Sequence, residues 1–416
     1  MRHNRWQILA VLFLARTAMG FQFQSIASVS PFLIDEFAID YAMLGTLIGL
    51  YNLPGIAFAL PGGMLGKRFG EKQVVLAGLV MMALGGVLVG IADDYATAIA
   101  GRTLSGCGGV LLNILLAKMT MDWFAKGELV LAMAILVNSW PFGIALALVI
   151  QSAAAVALGW PAVFYGTAAL SLLSFILIAV GYRPPPGLAS PARAGSAAGS
   201  AAGSAAGSAA GSAAAPAAAP GRLFGLDRAQ FGGVCLAAAA WTLYNVGLIL
   251  IVSFGPTFLT ARGLALEEAA WMVSLGTWLG IGTIPLGGWL AQRWGRPNLV
   301  MVVSLTAAVG ICAVLPWADS PLLPFIAFGV FAWAPAGPII ALVSETLSAD
   351  NRVQGMGLFY TWYYVGMGAL PPLAGWTRDL SGSADAPVYF ASAMMLSALV
   401  CVGLFRLKRI QLSEPV

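Results

Sequence analysis

Charged and titratable side chains are scarce in this chain. Only 9% of its 416 residues are Asp, Glu, Lys or Arg, against about 25% in soluble domains. Histidine occurs once, as His3, and the four cysteines lie apart from one another within apolar stretches. These absences argue against a metal site, which needs clustered ligands. With no Ser-His-Asp set and no Gly-Lys-Ser/Thr loop, we expect neither an enzyme nor a cofactor.

Apolar residues make up 60% of the chain, and the mean hydropathy is +0.87. They fall into repeated stretches of about 20 residues, the length of a transmembrane helix. The sequence therefore predicts an all-α polytopic membrane protein in the lipid bilayer. Its twelve predicted spans are 6–33, 41–62, 74–92, 96–119, 128–153, 160–182, 229–260, 267–291, 298–317, 321–345, 353–376 and 385–406.

The positions of the basic residues predict the orientation. With an even number of spans both termini share one side, and that side carries 17 of the 21 Lys and Arg residues. The positive-inside rule places it in the cytoplasm. The net charge of +4 is thus a topology signal, and we expect no nucleic-acid partner. The 17 residues are Arg2, Arg5, Lys67, Arg68, Lys72, Lys118, Lys126, Arg183, Arg193, Arg222, Arg228, Arg293, Arg296, Arg352, Arg406, Lys408 and Arg409.

The chain divides into two related halves. A Gly-Ser-Ala-Ala repeat lies between spans 6 and 7, and such a composition is typical of a flexible linker. "LPGGMLGKRFGEK" (60–72) and "PLGGWLAQRWGRP" (285–297) echo each other at an offset of 225 residues. We therefore predict two pseudo-symmetric six-helix bundles, 1–182 and 229–416, joined by a cytoplasmic linker at 183–228.

This layout resembles the major facilitator superfamily over essentially the whole chain. The family's loop motif, G-x-L-a-D-R-x-G-R-K, matches after spans 2 and 8, although Lys67 and Gln292 stand in place of its aspartate. The resemblance implies gating roles for Gly63, Arg68, Gly70, Gly288, Arg293 and Gly295. "GRTLSGCGG" (101–109) is similar to the family's R-x-x-x-G-x-G-G motif and makes Arg102 its arginine. The span-1 arginine and "WPFG" (140–143) resemble the cyanate/nitroimidazole-type branch.

Two arginines lie inside predicted spans, and no carboxylate lies clearly within one. Arg16 is about 15 Å deep at 1.5 Å per residue, near the middle of a ~30 Å hydrocarbon core. Embedded charges are costly and mark functional candidates, so an anionic substrate is a natural partner for Arg16. The alternatives are that Arg16 snorkels or donates to backbone carbonyls, and that Arg102 belongs to general family machinery.

Helical spacing and side-chain chemistry extend the candidate substrate site. Phe23 lies within about 40° of Arg16 on a helical wheel, and Trp241 is the counterpart of Arg16 at offset 225. Any single aromatic or amide residue among the candidates is equally suited to helix packing. The candidates are Arg16, Phe23, Gln24, Arg102, Asn113, Trp140, Trp241, Tyr244, Asn245, Tyr360 and Tyr364.

We expect a secondary or facilitative transporter, functional as a monomer, that moves a small anionic or carboxylate solute across the cytoplasmic membrane by alternating access. Multidrug efflux is the alternative, since an aromatic wall also suits drugs. A transporter-like receptor is a third hypothesis. Proton coupling has little support because no titratable residue lies deep in a span, which leaves exchange, uniport or coupling through an outer acid.

Overall fold

The computed structural model describes residues 5–58, 61–124, 126–185, 226–347 and 351–413. Most of the predicted linker, 183–228, lies outside these ranges. A 3₁₀ turn covers Leu315–Trp317. The helices are α1 (Arg5–Ser28), α2 (Ser30–Phe37), α3 (Tyr41–Leu50), α4 (Gly55–Phe58), α5 (Pro61–Phe69), α6 (Glu71–Gly90), α7 (Tyr95–Trp123), α8 (Lys126–Leu158), α9 (Trp160–Gly181), α10 (Arg228–Ala261), α11 (Leu266–Arg293), α12 (Pro297–Val314), α13 (Leu322–Phe331), α14 (Ala336–Thr346), α15 (Arg352–Ser381) and α16 (Ala386–Ser413).

The predicted all-helical, twelve-span architecture is confirmed. Within the described residues, eleven segments are long and apolar enough to cross a membrane, with α3 and α4 forming one span and α13 and α14 another. The twelfth span is α15, a helix of 30 residues. Glycine, proline, tyrosine and tryptophan make it less apolar than the others. Its tyrosines Tyr360, Tyr363 and Tyr364 line an interior cavity, whereas Trp362 and Trp376 are exposed.

Several helices begin at a residue that satisfies their first backbone N–H groups. The Asp40 carboxylate accepts a hydrogen bond from the Met43 N–H at 2.7 Å, and Asp94 accepts from the Thr97 N–H at 2.8 Å. Asp227 forms a capping box with Gln230 at the start of α10. These hydrogen bonds to the Asp94 carboxylate lower its pKa, because they stabilise its charged form.

Two spans are interrupted near their middle. Residues 51–54 separate α3 from α4, and residues 332–335 separate α13 from α14. Pro54 and Pro335 end these turns, since proline lacks an N–H and restricts the residue before it. Non-helical backbone at this depth is tolerated only where protein or a cavity surrounds it. The breaks therefore mark the part of the fold where side chains reach an interior space.

The two bundles meet closely near one face of the membrane. We call the side that carries Arg5 and the end of α16 the terminal face, and the other side the opposite face. Near the opposite face α3 packs along α15, and α8 packs along α11. A side chain at Gly45 would collide with the carbonyl group of Pro371. The Ser274 hydroxyl donates to the Ala145 carbonyl oxygen at 3.0 Å across this interface.

A charged contact completes the closure at the opposite face. The Asp379 carboxylate of α15 accepts hydrogen bonds from the backbone N–H groups of Tyr41 at 2.9 Å and Ala42 at 2.8 Å. These groups are the exposed N-terminus of α3, which attracts negative charge. The Arg378 guanidinium lies 3.6 Å from the centre of the Tyr41 ring. One bundle thus caps a helix of the other.

The terminal face is arranged differently. The ion pairs formed there by described residues all stay within one bundle, as in Arg5–Glu128, Lys118–Glu71 and Arg406–Glu345. The two bundles are consequently held together at the opposite face, and the space between them widens toward the terminal face.

Replacing Asp379 with Asn should loosen the closed opposite face. The variant loses the negative charge at the α3 N-terminus, an interaction worth about 0.5–1 kcal/mol, so the population open at that face should rise about two- to fivefold. Double electron–electron resonance measures this population. It reports the distance between spin labels attached at Glu36→Cys and Asp319→Cys, in a background without the native cysteines.

Asp93→Asn is the matched control for this experiment. Asp93 is an exposed acid on the same face, and its replacement should leave the distance distribution unchanged. If Asp379→Asn also leaves the distribution unchanged, the contact between Asp379 and α3 does not hold the face closed.

Candidate functional site

A cavity of about 190 Å³ lies between the two bundles. It begins beneath the closed contact of α3 with α15 and extends toward the terminal face. Both interrupted spans contribute residues to it. It is lined by Arg16, Met19, Tyr51, Asn52, Gly109, Val110, Asn113, Ile114, Val137, Trp140, Pro141, Trp241, Tyr244, Asn245, Leu248, Ile284, Trp333, Ala336, Met356, Gly357, Tyr360, Tyr363 and Tyr364.

Arg16 is the charged member of this lining. Its Nη1 donates to the Leu136 carbonyl oxygen at 3.0 Å, and its Nη2 donates to Asn113 Oδ1 at 3.0 Å. Its Nε is buried without a hydrogen-bond partner. A guanidinium carries five N–H donors in a rigid fork. Since no ion pair joins Arg16 to a described carboxylate, its charge is left uncompensated by the described protein.

The carbonyl partner of Arg16 lies beside a proline in α8. Pro141 provides no N–H to the Val137 carbonyl one turn before it. The adjacent Leu136 carbonyl accepts from both Arg16 and the Ser139 hydroxyl. The alternative account of Arg16, donation to backbone carbonyls, therefore describes one of its two hydrogen bonds.

Asn113 connects Arg16 to the other bundle. Its Oδ1 accepts from Arg16, and its Nδ2 donates to the Tyr364 hydroxyl at 3.4 Å. The chain Arg16–Asn113–Tyr364 thus runs from α1 through α7 to α15.

The carboxy-terminal bundle contributes an aromatic wall. Trp241 of α10 packs against Tyr244 with ring centres 5.9 Å apart. On α15 the rings of Tyr360 and Tyr363 are 6.3 Å apart, and those of Tyr363 and Tyr364 are 5.2 Å apart. Asn245 lies on the same lining and donates to the Trp241 carbonyl oxygen at 2.8 Å. This wall combines large apolar surfaces with a few hydroxyl and amide groups.

Eight of the eleven predicted site residues line the cavity. Phe23, Gln24 and Arg102 do not. Phe23 packs between the rings of Tyr51 and Trp140, and Gln24 donates to the Val252 carbonyl oxygen at 3.1 Å. They lie seven and eight residues beyond Arg16 on α1, roughly 11 Å deeper, where the bundles are closed on each other.

Arg102 is enclosed entirely by protein. It is 1% exposed and donates to three carbonyl oxygens, those of Leu47 at 2.9 Å, Gln22 at 2.8 Å and Phe23 at 2.5 Å. Its guanidinium also lies 4.6 Å from the centre of the Tyr51 ring. Arg102 therefore ties α7 to α1 and α3, which fits the general structural role considered above rather than contact with a ligand.

The predicted gating residues lie at helix ends on the terminal face. Gly70 (φ 87°) and Gly295 (φ 63°) adopt left-handed conformations that favour glycine, at the turns after α5 and α11. Gly63 is buried in α5, Gly288 lies in α11, and Arg293 is exposed as its last residue. Arg68 lies over the Phe69 ring at 5.2 Å. The gating role of these six residues stays a prediction.

The site also contains residues that the sequence analysis did not select. Tyr51, Trp333 and Tyr363 all line the cavity. Tyr51 and Trp333 belong to the two breaks in spans 2 and 10, and the prolines of "NLPG" (52–55) and "APAGP" (334–338) are the signal that could have found them. Tyr363 lies between the selected residues Tyr360 and Tyr364 in the sequence, and only the helical phase of α15 shows that it also faces the cavity.

Comparison with known proteins identifies the family. The model of the Major Facilitator Superfamily matches residues 12–371 and, in a second match, 231–415. The chain belongs to the Major Facilitator Superfamily. Within this superfamily it is 20% identical to the hexuronate transporter of Bacillus subtilis over 414 residues, covering 96% of this chain and 94% of that one.

Other relatives match over shorter stretches or by fold alone. Mouse monocarboxylate transporter 12 is 31% identical over 165 residues, which span 37% of this chain and only 34% of that protein. The inward-open xylose transporter XylE from E. coli superposes with a TM-score of 0.73 at 14% identity, covering 96% of each chain. An inward-facing bacterial homologue of the lysosomal transporter Spinster has a TM-score of 0.68 at 15% identity, covering 99% of this chain and 97% of that one.

Arg102 and Arg16 should respond differently to removal of the charge. Arg102→Gln leaves three buried carbonyls without their donors, so it should destabilise the protein by roughly 3 kcal/mol or more and lower its melting temperature in detergent. Arg16→Gln should change the melting temperature little, because Arg16 adjoins the cavity and makes fewer hydrogen bonds. Equal losses in both variants would contradict this division of roles.

Proposed function

We propose that this transporter moves a small organic anion, with Arg16 binding the anionic group. The observation that carries the proposal is an arginine in the central cavity whose donors are only partly used. Among the described residues of the lining, Arg16 alone is charged. An anion that enters the cavity gains both the unused donors and an uncompensated positive charge in a poorly screened environment.

The chemistry of the site favours a carboxylate. A guanidinium offers two parallel N–H groups that match the two oxygens of a carboxylate. The hexuronate and monocarboxylate transporters to which this chain is similar are both named for carboxylates. At 20% identity, or over a third of the chain, these relatives support the class of substrate and no individual compound.

The aromatic wall limits the rest of the substrate. Trp241, Tyr360 and Tyr364 offer apolar ring faces, while the amides of the lining come from Asn52, Asn113 and Asn245. A polyhydroxylated solute needs more hydrogen-bonding groups than these side chains provide. We therefore favour a compact, partly apolar carboxylate that fits a cavity of about 190 Å³.

We further propose that the terminal face is cytoplasmic. The excess of Lys and Arg on this face supports that orientation under the positive-inside rule and places the protein in the cytoplasmic membrane. The present conformation is then the inward-facing one. Transport requires the bundles to rock until the opposite face opens, and each bundle pair forms one complete path, so a monomer is sufficient.

Multidrug efflux remains the second candidate because the aromatic wall suits drugs as well. A relative in Haemophilus influenzae, the multidrug export protein EmrB, is 30% identical over 131 residues, 30% of this chain. Cationic drugs are disfavoured by the charge of Arg16, so this alternative requires neutral or anionic compounds. Binding of neutral apolar compounds in preference to carboxylates would support it.

The anion hypothesis is tested by the Arg16→Ala variant. Purified protein is screened by thermal shift against acetate, pyruvate, benzoate and glucuronate, with the matching amides as uncharged probes. We expect a carboxylate to raise the melting temperature of the wild type. Arg16→Ala should weaken that ligand about 10- to 100-fold, the worth of one or two hydrogen bonds to a charged group.

Arg16→Lys is the matched control, because it keeps the charge but loses the fork. We expect it to retain part of the affinity. Uptake of the best ligand into proteoliposomes then relates binding to transport: Arg16→Ala should abolish saturable uptake at an unchanged reconstituted amount. Saturable uptake by Arg16→Ala at the wild-type level excludes Arg16 as the anion site.

A proton gradient should not drive accumulation of the substrate. The described residues of the cavity lining include no Asp, Glu or His, so no group there exchanges a proton near neutral pH. Uptake into proteoliposomes, after subtraction of the passive uptake into protein-free liposomes, should reach the same final level with and without an imposed pH gradient. Several-fold accumulation under the gradient would contradict this and would implicate an acid outside the cavity.

A further inference from the structure

A second, apolar cavity lies on the outer surface of the carboxy-terminal bundle. It has a volume of about 270 Å³ and is formed by α11, α12 and α13. Its walls include Leu286, Val303 and Phe331, which are 49%, 48% and 39% exposed. We call this cavity the acyl groove. We propose that it binds an acyl chain of an anionic phospholipid whose headgroup contacts Arg293 and Arg296.

The groove is built into the packing of α11, α12 and α13. Its floor is made by Gly287 of α11, where a side chain would collide with the Ala334 carbonyl group, and by the buried residues Val300 and Ser304 of α12. The Thr283 hydroxyl donates to the Gly329 carbonyl oxygen at 2.9 Å and fixes α11 against α13. Small floor residues between taller apolar walls leave a channel rather than a flat surface.

The length and depth of the groove match one leaflet of the bilayer. Its lining on α11 runs from Thr283 to Trp294, a distance of roughly 16 Å along a helix. Half of a ~30 Å hydrocarbon core is about the same length. The groove begins at the terminal face, where Trp294 lies at the end of α11 as interfacial tryptophans do. A single acyl chain therefore fits it from headgroup to tail.

The charge at the mouth of the groove selects the headgroup. Arg293 and Arg296 flank Trp294 and are both exposed, and neither forms an ion pair with a described residue. The segment 285–300 contains no Asp or Glu. Basic residues near a membrane surface attract anionic lipids, and the attraction adds up over the residues. A phosphatidylglycerol-like headgroup complements this mouth better than a zwitterionic one.

The bound chain would lie against the break in span 10. Phe331 and Ala334 line the acyl groove, whereas Trp333 and Ala336 of the same segment line the central cavity. Neighbouring residues of this segment therefore line both cavities. Lipid in the groove would support this non-helical segment from behind.

Native mass spectrometry of the full-length protein in detergent tests the proposal, with added palmitoyl-oleoyl phosphatidylglycerol, phosphatidylethanolamine and phosphatidylcholine as probes. We expect the wild type to retain phosphatidylglycerol most strongly. Arg293→Gln and Arg296→Gln should each weaken its binding about fivefold. Arg228→Gln, which removes an exposed arginine at the start of α10, should have no comparable effect.

Val303→Phe fills the groove, and Val302→Phe is its matched control. The two valines are neighbours on α12 and are 48% and 46% exposed, but only Val303 lines the groove. Val303→Phe should reduce lipid retention and Val302→Phe should not. Wild-type retention of phosphatidylglycerol by Val303→Phe, Arg293→Gln and Arg296→Gln would overturn the site, and binding of phosphatidylcholine as strong as that of phosphatidylglycerol would overturn its preference for anionic lipid. Because the measurement involves no substrate, its result is independent of the proposed transport function.

Discussion

Arginine side chains inside the membrane-spanning bundles must donate their hydrogen bonds to acceptors of the protein, and the number that each one donates distinguishes Arg102 from Arg16. Arg102 donates to three carbonyl oxygens and covers a tyrosine ring, so its burial is compensated inside the bundle. Arg16 donates to two acceptors and also adjoins the central cavity. The same residue type thus supports the fold at one position and lines the central cavity at the other.

The closed opposite face determines where that site can be. Close backbone contact between α3 and α15, together with the Asp379 carboxylate at the α3 N-terminus, brings the bundles together beyond Met19. Between Met19 and the terminal face the helices diverge. The breaks in spans 2 and 10 direct Tyr51 and Trp333 into the central cavity there. The Asp379 charge at the α3 N-terminus and the small residues in the contact of α3 with α15 therefore determine where the cavity lies.

The sequence predicts much of this fold and only part of the site. Hydropathy predicts the spans because it depends on local composition. The repeat offset of 225 residues pairs Trp241 with Arg16 because the two halves are related. A helical wheel reports angle but not depth, so it groups Phe23 with Arg16 although the bundles close between them. At 100° per residue Asn113 likewise falls on the same helical face as Arg102, eleven residues away, but its side chain contacts Arg16. Depth along a helix depends on tertiary packing, which the wheel does not contain.

The two halves use their common architecture for different purposes. At equivalent positions of the repeat, α1 presents the cation of Arg16 to the central cavity and α10 presents the indole of Trp241. Asn113 and Tyr364 join these two surfaces through one hydrogen bond. An anion bound as proposed would accept from Arg16 and so compete with Asn113 Oδ1 for the guanidinium N–H groups. Asn113 is thus the residue through which binding at Arg16 would act on the contact between the bundles.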